Sequence, residues 1–201
     1  ILAFPGYERK VNQKALEQYL SFQYSPLEET FFKGIYKLMP GHMLLYKNGS
    51  YEIKTYFKPK LTPGQWNHKT NMAQLRSQLS EILKDSVKHH MLSDVEVGAF
   101  LSGGVDSGYL ASSSGADQAF TVGFDEGDRY SEVNKAAKVA EKAGLKHHVK
   151  IISKQEFWDA LPDVMYHMDE PLADASAVAL YFLSKEAAGH VKVVLSGEGA
   201  D

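Results

Sequence analysis

Val95-Glu96-Val97-Gly98-Ala99-Phe100-Leu101-Ser102-Gly103-Gly104-Val105-Asp106-Ser107 is the stretch that decides the fold. Val95 to Leu101 reads as a buried strand, a short and mostly apolar run that ends in a glycine turn. A helix is expected from about Asp106. Gly103 and Gly104 let the backbone bend so that successive N–H groups face one point. With a helix amino terminus behind them, they make an anion nest. Ser102 and Ser107 add hydroxyl donors. Asp106 would repel a bare phosphate, so its place here argues for a divalent cation between carboxylate and phosphate. The Gly-x-x-x-x-Gly-Lys spacing of a Walker loop is absent.

Outward from this turn, strands and helices alternate. Ala119–Phe124, His147–Ile152 and Val191–Leu195 read as strands. Glu132–Ala143, with Ser131 as its N-cap, Gln155–Met168 and Ala177–Ala188 read as helices. The alternation predicts an α/β fold, a doubly wound parallel sheet covered on both faces. In such a sheet ligands bind outside the carboxyl ends of the strands, where the Ser102–Ser107 turn lies. Upstream, Met72, Leu75, Leu79, Ile82, Leu83 and Val87 recur three or four apart and predict a helix from Asn71. Residues 58–70 break both periodicities, carry Pro59 and Pro63, and read as an interdomain linker. Before them, residues 11–57 hold a short helical pattern, Val11–Tyr19, and then two apolar runs, His42–Tyr46 and Tyr51–Phe57, around Asn48-Gly49. Asn-Gly between such runs is a strong hairpin signal. A lone hairpin is marginal, so this part reads as the edge of a β-domain.

Composition narrows the classes. The chain has 201 residues, 44% hydrophobic and 23% charged, which suits a globular protein. A net charge of -3 gives no basic field to gather nucleic acid or an anionic membrane, and no apolar run approaches a membrane span. Ile1 to Gly6 has neither the basic flank nor the cleavage site of a signal peptide. With no cysteine, disulfides, thiolate metal sites and a thiol nucleophile are excluded within these residues, and a reducing, cytoplasmic setting is expected.

The Ser102–Ser107 segment resembles the Ser-Gly-Gly-x-Asp-Ser pyrophosphate loop of ATP pyrophosphatases, the adenine nucleotide α-hydrolase-like enzymes that split ATP between the α and β phosphates. Four further stretches, in the same order, resemble the glutamine-hydrolysing asparagine synthetase family. They are Phe32-Lys33-Gly34-Ile35 through Pro40-Gly41-His42, Phe120–Phe124, Asp169–Ser176, and Ser196-Gly197-Glu198-Gly199-Ala200-Asp201. The resemblance implies that residues 1–57 are the end of an α+β N-terminal-nucleophile glutaminase domain. Residues 58–70 would be the linker, and residues 71–201 the first part of the synthetase domain. It also implies that the intact protein begins before Ile1 with a cysteine nucleophile activated by the free α-amino group.

Carried over residue by residue, the resemblance gives main-chain groups of Phe100, Leu101 and Val122 to the adenine edge. Ser102, Gly103, Gly104, Val105, Asp106 and Ser107 would hold pyrophosphate and Mg2+, with Asp106 as the metal ligand. Ser196 and Gly197 would lie against the nucleotide, Glu198 and Asp201 would face an aspartyl-adenylate, and Asp174 and Ser176 would contact substrate. Glu198 is the expected catalytic partner of Asp106. On residues alone, Val122 also reads as a core valine, and Glu198 and Asp201 as acids at a helix amino terminus.

The implied reaction converts aspartate to asparagine through β-aspartyl-AMP, with nitrogen from glutamine or ammonia. The expected partners are small molecules, not nucleic acid or a membrane; the expected assembly, if not a monomer, is a homodimer. The same build also serves β-lactam synthetase and other glutamine-dependent amidotransferases. A tRNA-modifying ATP pyrophosphatase is disfavoured by the acidic balance, and a dead scaffold by the intact Ser102, Asp106, Ser107 and Glu198. Neither His89-His90 nor His147-His148 has metal-ligand spacing, which argues against zinc. Phe157, Leu161, Val164, Met165 and Met168 read as helical core; Lys135, Lys138 and Lys142 read as a solvated face.

Overall fold

A computed structural model describes residues 1–60, 71–125, 132–171, 173–174 and 176–198. Ser131, Asp201 and most of the 58–70 stretch lie outside the described residues. The chain divides into two compact units, residues 1–68 with 165–174, and residues 69–164 with 175–201.

In the first unit Asn12 organises the backbone. Its side-chain oxygen accepts from the Lys14 N–H at 3.2 Å, so helix α1 (Gln13–Phe22) starts after it. The helix therefore begins two residues later than its apolar pattern suggests, and Val11 instead bridges Phe32 in extended form. The Asn12 amide donates to the Glu29 carboxylate at 3.0 Å and the Thr30 carbonyl at 3.2 Å, so this buried polar group is satisfied. Ala15 and Phe31 are buried nearby, and Tyr19 meets the Phe31 ring edge-on. Glu170 accepts from the Phe31 N–H and pairs with Lys37 at 3.2 Å. Strands β1 (His42–Lys47) and β2 (Ser50–Thr55) form the expected antiparallel hairpin. Asn48 and Gly49 turn it with φ of 52° and 79°, the geometry that Asn-Gly favours. Leu44, Tyr46, Tyr51 and Ile53 of the hairpin are exposed.

The second unit opens with α2 (Met72–His90), capped by Asn71, which accepts from the Ala73 N–H at 2.9 Å. Its period is as expected, yet Met72, Leu75, Leu79 and Ile82 are exposed and Val87 is buried. There follow β3 (Val97–Phe100), α3 (Val105–Ser114), β4 (Gln118–Phe124), α4 (Val133–Ala143), β5 (Lys146–Ile152), α5 (Lys154–Met168), α6 (Ser176–Ala188) and β6 (Val193–Leu195). The strands pair in parallel in the order β5-β4-β3-β6. The chain thus steps outward from β3 to β5, then crosses back to the other side of β3. That reversal lies between β3 and β6, where an open sheet leaves a crevice.

Alternation along the strands sends side chains to two faces. Ala99, Leu101 and Ala119 pack with Ala111 of α3 and Ala136 and Ala140 of α4. On the other face Phe120 packs with Ala187 and Val191, and Val122, Phe124 and Ile152 with Ala160 and Val164 of α5 and Val178 and Phe182 of α6. Helices thus cover both faces, the doubly wound arrangement expected. Burying Phe120 contributes about 1.5–3 kcal/mol, well above the ~0–1 kcal/mol of an exposed ion pair such as Lys54–Glu52. Gly98 makes room for that ring, because a Cβ there would lie 2.6 Å from it.

Two local expectations need correction. The N-cap position of α4 falls on Glu132, which makes no side-chain cap bond, rather than one residue earlier. Met165 and Met168 are exposed instead of core. Ala160 and Val164 centre the buried face of α5, Met165 is turned about 100° from Val164, and Met168 ends the helix. Lys135, Lys138 and Lys142 are exposed, as expected. The start of α5 is a capping box: Ser153 Oγ accepts from the Glu156 N–H at 3.2 Å and Glu156 accepts from the Ser153 N–H at 2.8 Å.

Candidate active site

Gly103 has φ +79°, and a Cβ on it would come within 2.8 Å of the Lys135 Cβ and 2.9 Å of the Ala136 nitrogen. Only glycine fits there, for both conformation and space. Gly104 returns to extended φ and ψ and forms the N-cap position of α3. Hydroxyls close the turn: Ser102 and Ser107 Oγ lie 2.8 Å apart, the Ser102 N–H donates to Ser107 Oγ at 3.2 Å, and the Gly104 N–H to Ser102 Oγ at 3.3 Å. The first-turn N–H groups of Val105, Asp106 and Ser107 have no intrahelical acceptor, and the helix dipole adds positive potential there.

This turn forms one wall of a cavity of about 500 Å3 at the carboxyl ends of the strands, the size range of small-ligand sites. The turn after β6 forms another wall. A Cβ on Gly197 would sit 3.3 Å from the Ser107 nitrogen, so the two turns are in contact. Ser196, Gly197 and Glu198 line the cavity with Ser102, Gly104, Asp106 and Ser107, and the Glu198 N–H reaches Ser196 Oγ at 3.4 Å. Phe100, Leu101 and Val122 line it too. The β3–β4 register ends at Phe100 opposite Phe120 while β4 runs on to Phe124. The β3-facing backbone edge of Val122 therefore lies beyond the last paired residue.

Of the remaining expected residues, Ser176 lines the cavity. Gly103 shapes the turn without lining it, and Val105 projects outward, 86% exposed. Asp174 belongs to the other compact unit. Sequence reasoning passed over Thr121, Phe124, Glu132, Ala179, Leu180 and Leu183, which also line the cavity. Thr121 and Phe124 flank Val122 on one strand, and Ala179, Leu180 and Leu183 recur at helical spacing, the signals that were there to be read.

Thr121 is buried, and its single hydroxyl proton goes to the Leu101 carbonyl at 2.6 Å. The same oxygen then accepts from His147 Nε2–H at 2.7 Å, which fixes that ring's tautomer. Burial holds the His147 pKa below its ordinary value, consistent with a neutral ring that donates one proton. Among the described lining residues the charged side chains are the carboxylates of Asp106, Glu132 and Glu198. A polyphosphate in this cavity needs a cation as well as N–H donors. The Asp106 carboxylate and the Ser102 and Ser107 hydroxyls are hard oxygen donors, the set that suits Mg2+.

Residues 78–201 match the family described as asparagine synthase. The chain belongs to the asparagine synthase family. Its family segment contains the whole cavity, and residues 1–57 match a glutamine amidotransferase domain. Asparagine synthetase (glutamine-hydrolyzing) 1 of Bacillus subtilis is 40% identical over 197 residues, 96% of this chain and 30% of that protein. A Mycobacterium bovis relative, which carries the same name provisionally, is 38% identical over 202 residues, 98% of this chain and 31% of its own. The chain thus spans about a third of the length of these asparagine synthase relatives. A solved structure of the NH3-dependent NAD synthetase of Campylobacter jejuni aligns with 62% of this chain and 56% of its own, at TM-score 0.37 and 18% identity. Among the described residues no helix is long and apolar enough to cross a membrane.

Proposed function

We propose that the protein makes asparagine from aspartate in two steps at the cavity between the Ser102–Ser107 and Ser196–Glu198 turns. The observation that carries the reading is the contact of Gly197 with the Asp106–Ser107 backbone, which joins a phosphate-type nest to a carboxylate-bearing turn. In the first step the aspartate β-carboxylate oxygen attacks the α-phosphorus of ATP, and the bond to the β-phosphate oxygen breaks to release pyrophosphate. In the second, ammonia attacks the acyl carbon, the bond to AMP breaks, and a proton leaves the nitrogen. Carboxylate alone is a poor acyl donor because its leaving group would be oxide; AMP is a far better one.

The chain's own residues divide the work. First-turn N–H groups of α3 and the Ser102 and Ser107 hydroxyls face the pyrophosphate as its charge grows. Phe100, Leu101 and Val122 present backbone to the adenine edge. Asp106 with the two hydroxyls would hold Mg2+, which when bound neutralises phosphate charge. Glu198 orients the incoming ammonia and takes its proton. Ser176 contacts the amino-acid side, and Asp174 and Asp201 are assigned to substrate by resemblance. Residues 1–57 belong to a glutaminase domain that supplies nitrogen from glutamine, ammonia serving directly as well, with the boundary in 58–70. The setting is cytoplasmic and the partners are small molecules.

The test is aspartate-dependent pyrophosphate release by the intact protein, with asparagine and AMP measured together. Glu198→Gln should keep ATP binding and lose asparagine formation. Pyrophosphate release that ignores aspartate but responds to another carboxylate would move the protein to the β-lactam synthetase type of reaction.

A further inference from the structure

At the amino-terminal end of the same sheet, away from the cavity, three side chains converge whose chemistry the proposed synthesis does not use. His148 stands on β5, Glu186 on the last turn of α6, and His190 just beyond that helix. One candidate ligand atom from each lies within 4.8 Å of the others. The His148 and His190 ring centroids are 4.0 Å apart, and His190 Nε2 is 3.7 Å from Glu186 Oε1, too far for a hydrogen bond. We propose that His148, Glu186 and His190 form a binding site for a divalent transition-metal ion of the zinc class.

The donor set decides the class. Two imidazole nitrogens and one carboxylate oxygen, with no thiolate, suit zinc and its first-row neighbours and do not suit magnesium or calcium. In a tetrahedral zinc site the ligand atoms stand about 3.3–3.5 Å apart. The three atoms already lie within 4.8 Å, and the side chains of Glu186 and His190, 33% and 35% exposed, have solvent-side freedom to close the remainder.

The surroundings supply what a metal-bound histidine needs. His148 Nε2 lies 2.9 Å from Gln118 Oε1, and the Gln118 amide donates to Glu96 Oε1 at 2.6 Å. Glu96 therefore turns the amide so that its oxygen accepts from Nε2–H, which leaves Nδ1 of His148 with its lone pair. An outer partner of this kind fixes ring orientation and tautomer in metal sites. Phe120 stacks on the His148 ring at 5.0 Å and blocks its rotation. The main chain at His190 is fixed, its N–H donating to the Ala187 carbonyl at 2.9 Å, as does that of Val191, while its ring stays free to turn. Among the described residues the polar groups beside the His190 ring are Glu186 and His148. Two rings side by side, one with a free lone pair and neither bonded to the other, are a poor hydrogen-bonding arrangement and a good ligand pair.

The experiment is zinc titration of the intact protein in excess magnesium, with cobalt as a spectroscopic substitute. The expected result is one equivalent of zinc lost in His190→Ala, and about tenfold or greater weakening of that site in Glu186→Gln and Gln118→Ala. Zinc should also raise the wild-type melting temperature and leave that of His190→Ala unmoved, because only the native state carries the site. His190 is partly exposed, so its variant folds; melting without metal checks this. Wild-type zinc uptake by both His190→Ala and Glu186→Gln overturns the proposal, as does failure of the wild type to bind zinc up to millimolar concentration.

Discussion

The Thr121 hydroxyl donates to the Leu101 carbonyl across 2.6 Å, just where β3 stops and the Ser102–Ser107 turn begins. This bond orients the peptide that leads into the turn, and His147 completes it from β5. Thr121→Val keeps the shape and removes the hydroxyl, leaving a buried carbonyl and a ring N–H unpaired. The expected cost is about 1–3 kcal/mol of stability, read by denaturant melting, together with a raised KM for ATP. An unchanged KM would mean that the turn is set without this bond.

Gly103→Ala should damage both fold and binding. Alanine at φ +79° strains the backbone by about 1–3 kcal/mol, and the methyl would press on the backbone of α4. Denaturant melting and ATP affinity of the intact protein should fall together. A stable variant with normal ATP affinity would remove the turn from the phosphate role.

Asp106→Asn should separate chemistry from stability. The carboxylate is exposed on the first turn of α3, so the melting temperature should hold. Loss of its charge should lower aspartate-dependent pyrophosphate release about a hundredfold or more. Near-normal turnover at ordinary magnesium would end the assignment.

Glu156 offers a pH signature. Hydrogen bonds from Lys150 Nζ, then from the Ser153 N–H and hydroxyl, lower its pKa from 4.5 to about 2. A depressed carboxylate contributes stability that is present above 4.5 and lost as pH falls toward about 2. Wild type should therefore exceed Glu156→Gln in denaturant midpoint at pH 6, and the gap should close between pH 4.5 and 2. A gap that is constant with pH would assign the effect to packing.

The strand–helix alternation was legible because the central strands β3 and β4 are largely buried and read as apolar runs, and each strand is bounded by polar or glycine-bearing turns. Asn48-Gly49 was legible because few residue pairs accept positive φ at both turn positions. Burial was harder. The α2 period marks an apolar face but not what covers it, so Leu75 and Leu79 count as core by pattern and are exposed in fact. The α6 wall of the cavity was hidden for the opposite reason: Ala179, Leu180 and Leu183 look like ordinary core. The histidine–glutamate cluster depends on how the end of α6 meets β5, a contact that no local spacing encodes.

The cavity joins Ser107 to Gly197, positions about 90 residues apart in the chain, through a three-residue strand at the sheet edge. Nothing local holds such a pair together; it depends on the pairing of Val193–Leu195 with Val97–Ala99. Amide exchange at Val193–Leu195 should then be the fastest in the sheet. A molecule that touches both turns would act on time as much as on affinity, lengthening the intervals for which the strand stays seated.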